Sequence, residues 1–283
     1  MFNKSKNCIL IDPGVNYLRP FEGLHALGHF PFGCLSMATF LKNSGFSVKV
    51  IAFDDVFGNI EEPLPREEVL KTINTILENE IRQCSPLLVG VSISYTVQCT
   101  LGFEIIDIVK RLSPDATTAV GGSHVTFLDE RSLLECKGLD IVVRGEGEWT
   151  ITDLLHCIKN KTDVQNVDGI TYKKNDKIFR TKERGLGDLN KLPVLDFNFL
   201  PASCYKNKNI NIAPTRGCYY TCKFCTDRVF WKNKLRATPV EKLIKEAELL
   251  FNKYKIGFLS YEDSMIDVNG AYFSKISNEL QKI

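Results

Sequence analysis

Between residue 8 and about residue 160, short apolar runs alternate with amphipathic stretches, and this alternation constrains the fold more than any other feature of the chain. CILID (8–12), VKVIAF (48–53), LLVGVSI (87–93), TTAVGG (117–122) and DIVVRG (140–145) have strand length and are rich in Val and Ile. The segments between them carry apolar residues at helical spacing. Gly33 to Asn43 lines up Leu35, Ala38 and Leu41 and stops at Gly45. Arg66 to Cys84 lines up Val69, Ile73, Ile76, Leu77 and Ile81, and residues 98–112 and Glu148 to Lys159 complete the set. Strand runs without polar alternation are buried on both faces. Repeated strand–helix units therefore predict an α/β fold, a parallel sheet of five strands covered by helices on both sides.

Sheets of this kind bind ligands beyond the carboxyl ends of their strands. Those ends read Asp12-Pro13-Gly14, Ser92-Ile93-Ser94, Gly121-Gly122 and Arg144-Gly145-Glu146-Gly147-Glu148. Turn chemistry explains any one of them. Four polar, glycine-rich ends on one sheet point to a ligand-binding rim.

Residues 167–182 read as a hairpin turning at Asn175-Asp176. LGDLNKLPVLDFNFLP, with two prolines, reads as a surface linker, giving domains of 1–165, a hairpin and linker at 166–205, and 206–283. The third segment opens with a strand, NINIAP (209–214). A helix comes next, with Thr238 as N-cap, Pro239 in the first turn and Glu241 closing a capping box. It runs to about Tyr254 with Leu243, Ala247, Leu250 and Phe251 inward. IGFLSYED (256–263) is the next strand, and a last helix begins near residue 269.

No run is long and apolar enough to span a membrane or to serve as a signal peptide. Ten cysteines without a secretory signal argue for a reducing, cytoplasmic setting rather than a disulfide framework. Cys8, Cys34, Cys84, Cys99, Cys136 and Cys157 lie in apolar segments as small buried side chains. The net charge of +2 makes no case for nucleic acid. Cys204 to Ile256 holds 12 Lys and Arg against four Asp and Glu, read as a solvated helix face and a basic rim that attracts an anionic substrate.

The remaining cysteines are concentrated. TRGCYYTCKFC, Thr215 to Cys225, places Cys218, Cys222 and Cys225 in a C-x3-C-x2-C array at the carboxyl end of a strand, where α/β barrels carry active sites. Three thiolates can hold three irons of a [4Fe–4S] cluster and leave the fourth iron open, as a catalytic centre requires. The rival is a zinc site completed by Cys204.

The stretch Arg216 to Cys225 resembles the cluster loop of the radical S-adenosylmethionine (radical SAM) superfamily in its cysteine spacing, the aromatic Phe224 before the last cysteine, and Arg216-Gly217 before the first. PFGCLSMATFLKNSGFSVKV, VGVSIS, AVGGSHVTFLDE and DIVVRGEGEWT resemble the Rossmann-like (flavodoxin-like) cobalamin-binding domain that precedes one class of these enzymes. The resemblance implies three cofactors: a [4Fe–4S] cluster on Cys218, Cys222 and Cys225, SAM on the open iron, and cobalamin on the first domain. SAM contacts are implied for Glu262 and Asp263, and for Phe224 through its backbone with the ring packed inside. Cobalamin contacts are implied for Asp12, Ser92, Ser94, Gly121, Gly122, Gly145 and Glu146. The best-known cobalamin folds carry Asp-x-His-x-x-Gly after the first strand, whereas this chain reads Asp12-Pro13-Gly14-Val15-Asn16-Tyr17. Cobalt ligation by a His at that place is therefore not expected. His124 is expected at the rim and His156 in a structural role, while His25 and His29 precede the first helix.

The activity the resemblance implies is radical methylation of an unactivated carbon. The alternative is cyclisation of the magnesium-protoporphyrin ester type. It also implies a small-molecule or peptide substrate and an external electron donor such as flavodoxin or ferredoxin. Barrels of this family normally have about six strands, and a full eight-stranded barrel takes on the order of 250 residues. With 58 residues after Cys225, the expectation is the N-terminal part of a barrel. It would then be an incomplete, non-catalytic cobalamin binder or one part of a split enzyme with a C-terminal partner chain.

Overall fold

The computed structural model describes residues 8–14, 30–57, 64–205, 210–266 and 270–283. His25, His29 and residues 15–17 lie outside these. The chain divides into two compact units, Met1–Gly185 and Leu186–Ile283. Among the described residues no helix is long and apolar enough to cross a membrane.

The first unit is built on seven strands: β1 (Cys8–Asp12), β2 (Val48–Ala52), β3 (Leu88–Ser92), β4 (Thr117–Gly121), β5 (Ile141–Val143), β6 (Ile170–Lys174) and β7 (Lys177–Arg180). Their order is β2-β1-β3-β4-β5-β6-β7. The first five are parallel, with Cys8 opposite both Val48 and Leu88, and Leu88 opposite Thr117. The chain moves outward from β1 to β2 and returns to β3 on the other side, so a switch point lies between the carboxyl ends of β1 and β3. Among the described residues, the sheet is accompanied by the helices α1 (Phe32–Asn43), α2 (Phe53–Phe57), α3 (Arg66–Cys84), α4 (Thr96–Leu112), α5 (Ser123–Phe127), α6 (Asp129–Glu135) and α7 (Gly147–Asn160). Val69, Ile73 and Leu77 of α3 and Leu101, Ile105 and Val109 of α4 join Ile9, Ile11, Val89 and Val91 in one core.

The hairpin departs from expectation. It belongs to the first unit, where β6 pairs antiparallel with β5, and not to a separate linker. The reason is apolar. Ile170 and Tyr172 of β6 are buried, and every residue of β5 is buried, so each needs the other's edge. Asn175 and Asp176 turn the hairpin with φ of 50° and 57°, the left-handed pair of a tight two-residue turn. A buried ionic group fixes it from behind. Asp129 Oδ2 accepts from Thr171 Oγ1 at 2.5 Å and from Arg180 Nε at 3.1 Å, with Arg144 Nε at 3.6 Å. Arg144 also donates to the carbonyls of Ile170 and Thr181.

The second unit contains β8 (Ile210–Ile212), β9 (Thr215–Gly217), α8 (Asp227–Phe230), β10 (Leu235–Ala237), α9 (Val240–Asn252), β11 (Leu259–Tyr261) and α10 (Gly270–Leu280). β8 and β11 are parallel, and β9 and β10 form an antiparallel pair. Two expectations are corrected here. The linker is not a surface wrap: Leu189, Leu195, Phe197 and Leu200 are all buried in this unit. The capping box does not form. Thr238 Oγ1 donates to the Ala213 carbonyl at 2.8 Å, and Glu241 pairs with Lys275 of α10 at 2.9 Å. Leu243, Ala247 and Leu250 of α9 face inward as expected, and so does Glu246. Its Oε1 accepts from Leu195 N at 3.0 Å and from Lys242 Nζ at 2.7 Å.

Candidate functional site

The chemistry-bearing residues of the first unit collect at the carboxyl ends of its parallel strands. At β1, the buried Asp12 accepts from Gly14 N at 2.9 Å, an Asx turn that closes the strand. At β3, the buried Gln98 reaches back from the first turn of α4, and its Oε1 accepts from Ser94 N at 2.9 Å and Tyr95 N at 3.1 Å. This side chain starts α4 two residues earlier than apolar periodicity indicates. It was missed in the sequence because Gln98 reads there as an ordinary helix former. Its Nε2 is buried and has no hydrogen-bond partner among the described residues, which leaves a donor in the wall of the rim.

Gly122 is the tightest point. Its φ is 115°, and a Cβ there would lie 2.5 Å from the Ile93 carbonyl oxygen and 3.0 Å from Ser94 N. The ends of β3 and β4 are therefore in backbone contact, reinforced by Ser123 Oγ donating to the Ser94 carbonyl at 2.7 Å. Gly121 is different. A Cβ there meets Val143 at an ordinary 3.6 Å, so its glycine is not forced by the surroundings. Gly145 has φ of 71° and donates its N–H to Thr126 Oγ1 at 3.1 Å, and Glu146 beside it is buried. His124 reaches the rim, its Nδ1 3.2 Å from Thr96 Oγ1, and partial burial lowers its pKa. His156 lies away from this rim, edge-on to Phe46. Gly122→Ala is expected to cost about 2 kcal/mol or more, from the left-handed φ and the overlap with Ile93, in urea unfolding of the first unit.

In the second unit β9 feeds directly into the cysteine loop. Cys218 follows Gly217, Tyr220 N donates to Cys218 Sγ at 3.4 Å, and Cys225 N donates to the Cys222 carbonyl at 3.2 Å. Cys222 is exposed, and Cys218 and Cys225 are half-buried. None of the ten cysteines is in a disulfide, and Cys204 is buried whereas Cys222 is exposed. Among the described residues no three His, Cys, Asp or Glu side chains converge as a single ion requires. Phe224 is corrected: its ring is 90% exposed rather than packed inside.

The two acids after β11 separate. Glu262 is exposed and bonded to Asn211 of β8, and its N–H donates to the Ile212 carbonyl at 2.8 Å. Asp263 turns inward, where Oδ1 accepts from Thr215 N at 2.9 Å and lies 2.8 Å from Thr215 Oγ1, while Oδ2 is buried without a partner among the described residues. Thr215 Oγ1 is also 2.7 Å from the Met265 carbonyl. One hydroxyl proton cannot serve both acceptors fully. Burial raises the pKa of the Asp263 carboxyl to about 7, against the lowering effect of the two bonds from Thr215. Met265 Sδ lies 3.9 Å from Cys218 Sγ, and Ser264 donates to Asp227 of α8.

The chain thus joins an α/β domain with a ligand rim at a switch point to a strand-fed three-cysteine loop. Residues 26–155 match the family model of the B12-binding domain. The chain is 29% identical over 271 residues to the anaerobic magnesium-protoporphyrin IX monomethyl ester cyclase of Rubrivivax gelatinosus, covering 92% of this chain and 46% of that protein. It is 28% identical over 193 residues to an uncharacterised methyltransferase of Pyrococcus horikoshii, covering 67% of this chain and 42% of that one. Among solved structures, the radical SAM methyltransferase TsrM of Kitasatospora setae, with cobalamin and a [4Fe–4S] cluster bound, shares the fold at a TM-score of 0.76 and 18% identity. That match covers 97% of this chain and 50% of TsrM. Residues 26–155 thus resemble a B12-binding domain, and the curated relatives the chain resembles are methyltransferases and anaerobic cyclases. The chain spans about half the length of the relatives it matches.

Proposed function

We propose that this chain is the cofactor-binding part of a cobalamin-dependent radical SAM enzyme that methylates an unactivated carbon of a small molecule. One observation carries the reading: the C-x3-C-x2-C array stands at the carboxyl end of β9, in a chain whose first unit presents a glycine-tightened rim at a sheet switch point. The three cofactors would supply, when bound, reductive generation of a carbon radical and a methyl group to combine with it.

The residues fit these groups. Cys218, Cys222 and Cys225 offer three thiolates on an exposed loop and leave one cluster position for SAM. The exposed carboxylate of Glu262 is suited to accept from the SAM ammonium or ribose, and Phe224 offers its backbone beside the last cysteine. In the first unit, Gly122 lets the ends of β3 and β4 close on each other, which fixes the places of Ser92, Ser94 and Gly121 for the nucleotide tail of cobalamin. Gln98 holds the Ser94 and Tyr95 amides in place there, and Asp12, Gly145 and Glu146 form the flanks. Reduction of the cluster calls for an external electron donor. Relatives that are cyclases support ring closure as the second reading.

Anaerobic reconstitution tests the reading. About four irons per chain are expected, lost in Cys218→Ala, Cys222→Ala and Cys225→Ala but kept in Cys204→Ala, together with cobalamin bound to the first unit. A colourless protein holding one zinc that depends on Cys204 overturns it.

A further inference from the structure

The family resemblance assigns Asp263 to SAM, but the geometry gives its carboxyl other work. Oδ1 is occupied by the backbone N–H and the hydroxyl of Thr215, the first residue of β9 and three residues before Cys218. The same hydroxyl reaches the Met265 carbonyl, and the Met265 sulfur rests against Cys218. The segment after β11 therefore touches both the start of β9, at Thr215, and the first ligand itself, Cys218. Glu262, the adjacent acid, is exposed and bonded to Asn211, so the two carboxylates face different surroundings.

We propose that Asp263 is a positioning residue that acts on the cluster site through Thr215, setting where the three-cysteine loop leaves β9, and does not itself contact SAM. This inference rests on the cluster reading above. It makes Glu262 the acid left for the small molecule. Oδ2 of Asp263, buried and without a partner among the described residues, fits a side chain held inside the fold rather than one presented at a pocket mouth. An asparagine keeps the Oδ1 acceptor for Thr215 in a side chain of the same shape, so it is the conservative replacement.

The test uses the full chain with Asp263→Asn, Asp263→Leu, Thr215→Val and the Leu/Val double variant. Three quantities are read: iron content, the EPR spectrum of the reduced cluster with and without SAM, and hydrogen exchange of residues 215–225 before iron is added. Asp263→Asn is expected to match wild type in all three, including the spectral change on adding SAM. Asp263→Leu and Thr215→Val are expected to speed exchange of the loop about tenfold and to broaden the EPR signal in the same way. The double variant should be no worse than Asp263→Leu alone, since the two residues act as one unit. If Asp263→Leu does not fold, Thr215→Val and Asp263→Asn still decide. Loss of the SAM-induced change in Asp263→Asn overturns the proposal and returns Asp263 to a direct contact. Wild-type exchange and spectra in Thr215→Val overturn it as well. A wild-type chain that takes up no iron fails at the earlier step and removes the cluster reading with it.

Discussion

Gly217→Ala is expected to abolish iron loading and to unravel the β9–β10 hairpin, the largest effect of any single methyl group in the second unit. Gly217 has φ of 99°, and a Cβ there would stand 2.1 Å from the Lys234 carbonyl oxygen and 2.9 Å from Trp231 Cβ. The carbonyl belongs to the backbone, so relief requires the two strands to part. The left-handed backbone alone costs about 1–3 kcal/mol in a residue with a side chain, and the overlap adds to it. Because Gly217 immediately precedes Cys218, the displacement falls on the first thiolate. Bound iron should drop from about four per chain to below about one, with hydrogen exchange in residues 215–217 and 235–237 rising toward that of an open chain. Exchange in β1 to β5 should stay as in wild type.

Removing the Glu246 carboxylate is expected to have the second large effect. Its side chain is 1% exposed and that of Lys242, its partner one helical turn away, is 13% exposed. Glu246→Ala leaves the ammonium in a poorly solvated place and the Leu195 N–H without its acceptor. Breaking one side of a buried pair costs about 3–5 kcal/mol, and the low end applies because Lys242 retains some water. Glu246→Gln keeps an acceptor for Leu195 and should cost about 1 kcal/mol. Urea unfolding combined with hydrogen exchange at residues 189–200 distinguishes the two, since those amides depend on the linker staying seated on α9.

The parallel sheet was legible because Ile, Val and Leu run without polar interruption through β1, β3 and β5, and because α3 shows its apolar face at helical spacing from Arg66 to Cys84. The cysteine loop was legible from spacing alone. The features that escaped the sequence depend on long-range partners. The hairpin seemed a separate piece because nothing in Ile170 to Lys174 names β5 as its neighbour. Thr238 looks like an N-cap in any local window, yet the Ala213 carbonyl, 25 positions away, takes its hydroxyl. Glu262 and Asp263 are adjacent and chemically alike, and only the approach of Thr215 across 48 positions separates an exposed acid from an inward one. Phe224 was expected inside from the resemblance alone, and nothing in the spacing of the loop tells that it stands 90% exposed.

The hairpin also bears on how such a chain can be assembled from parts. β6 takes up the hydrogen bonds that β5 would otherwise offer, and β7 carries Lys177 and Arg180 along its outer side, exposed charges that discourage a further strand. On that side the sheet is finished at Arg180. The next strand in the chain, β8, opens a new sheet with β11. The seam near Gly185 is therefore a place where a downstream segment can be joined without disturbing the strand register that shapes the rim.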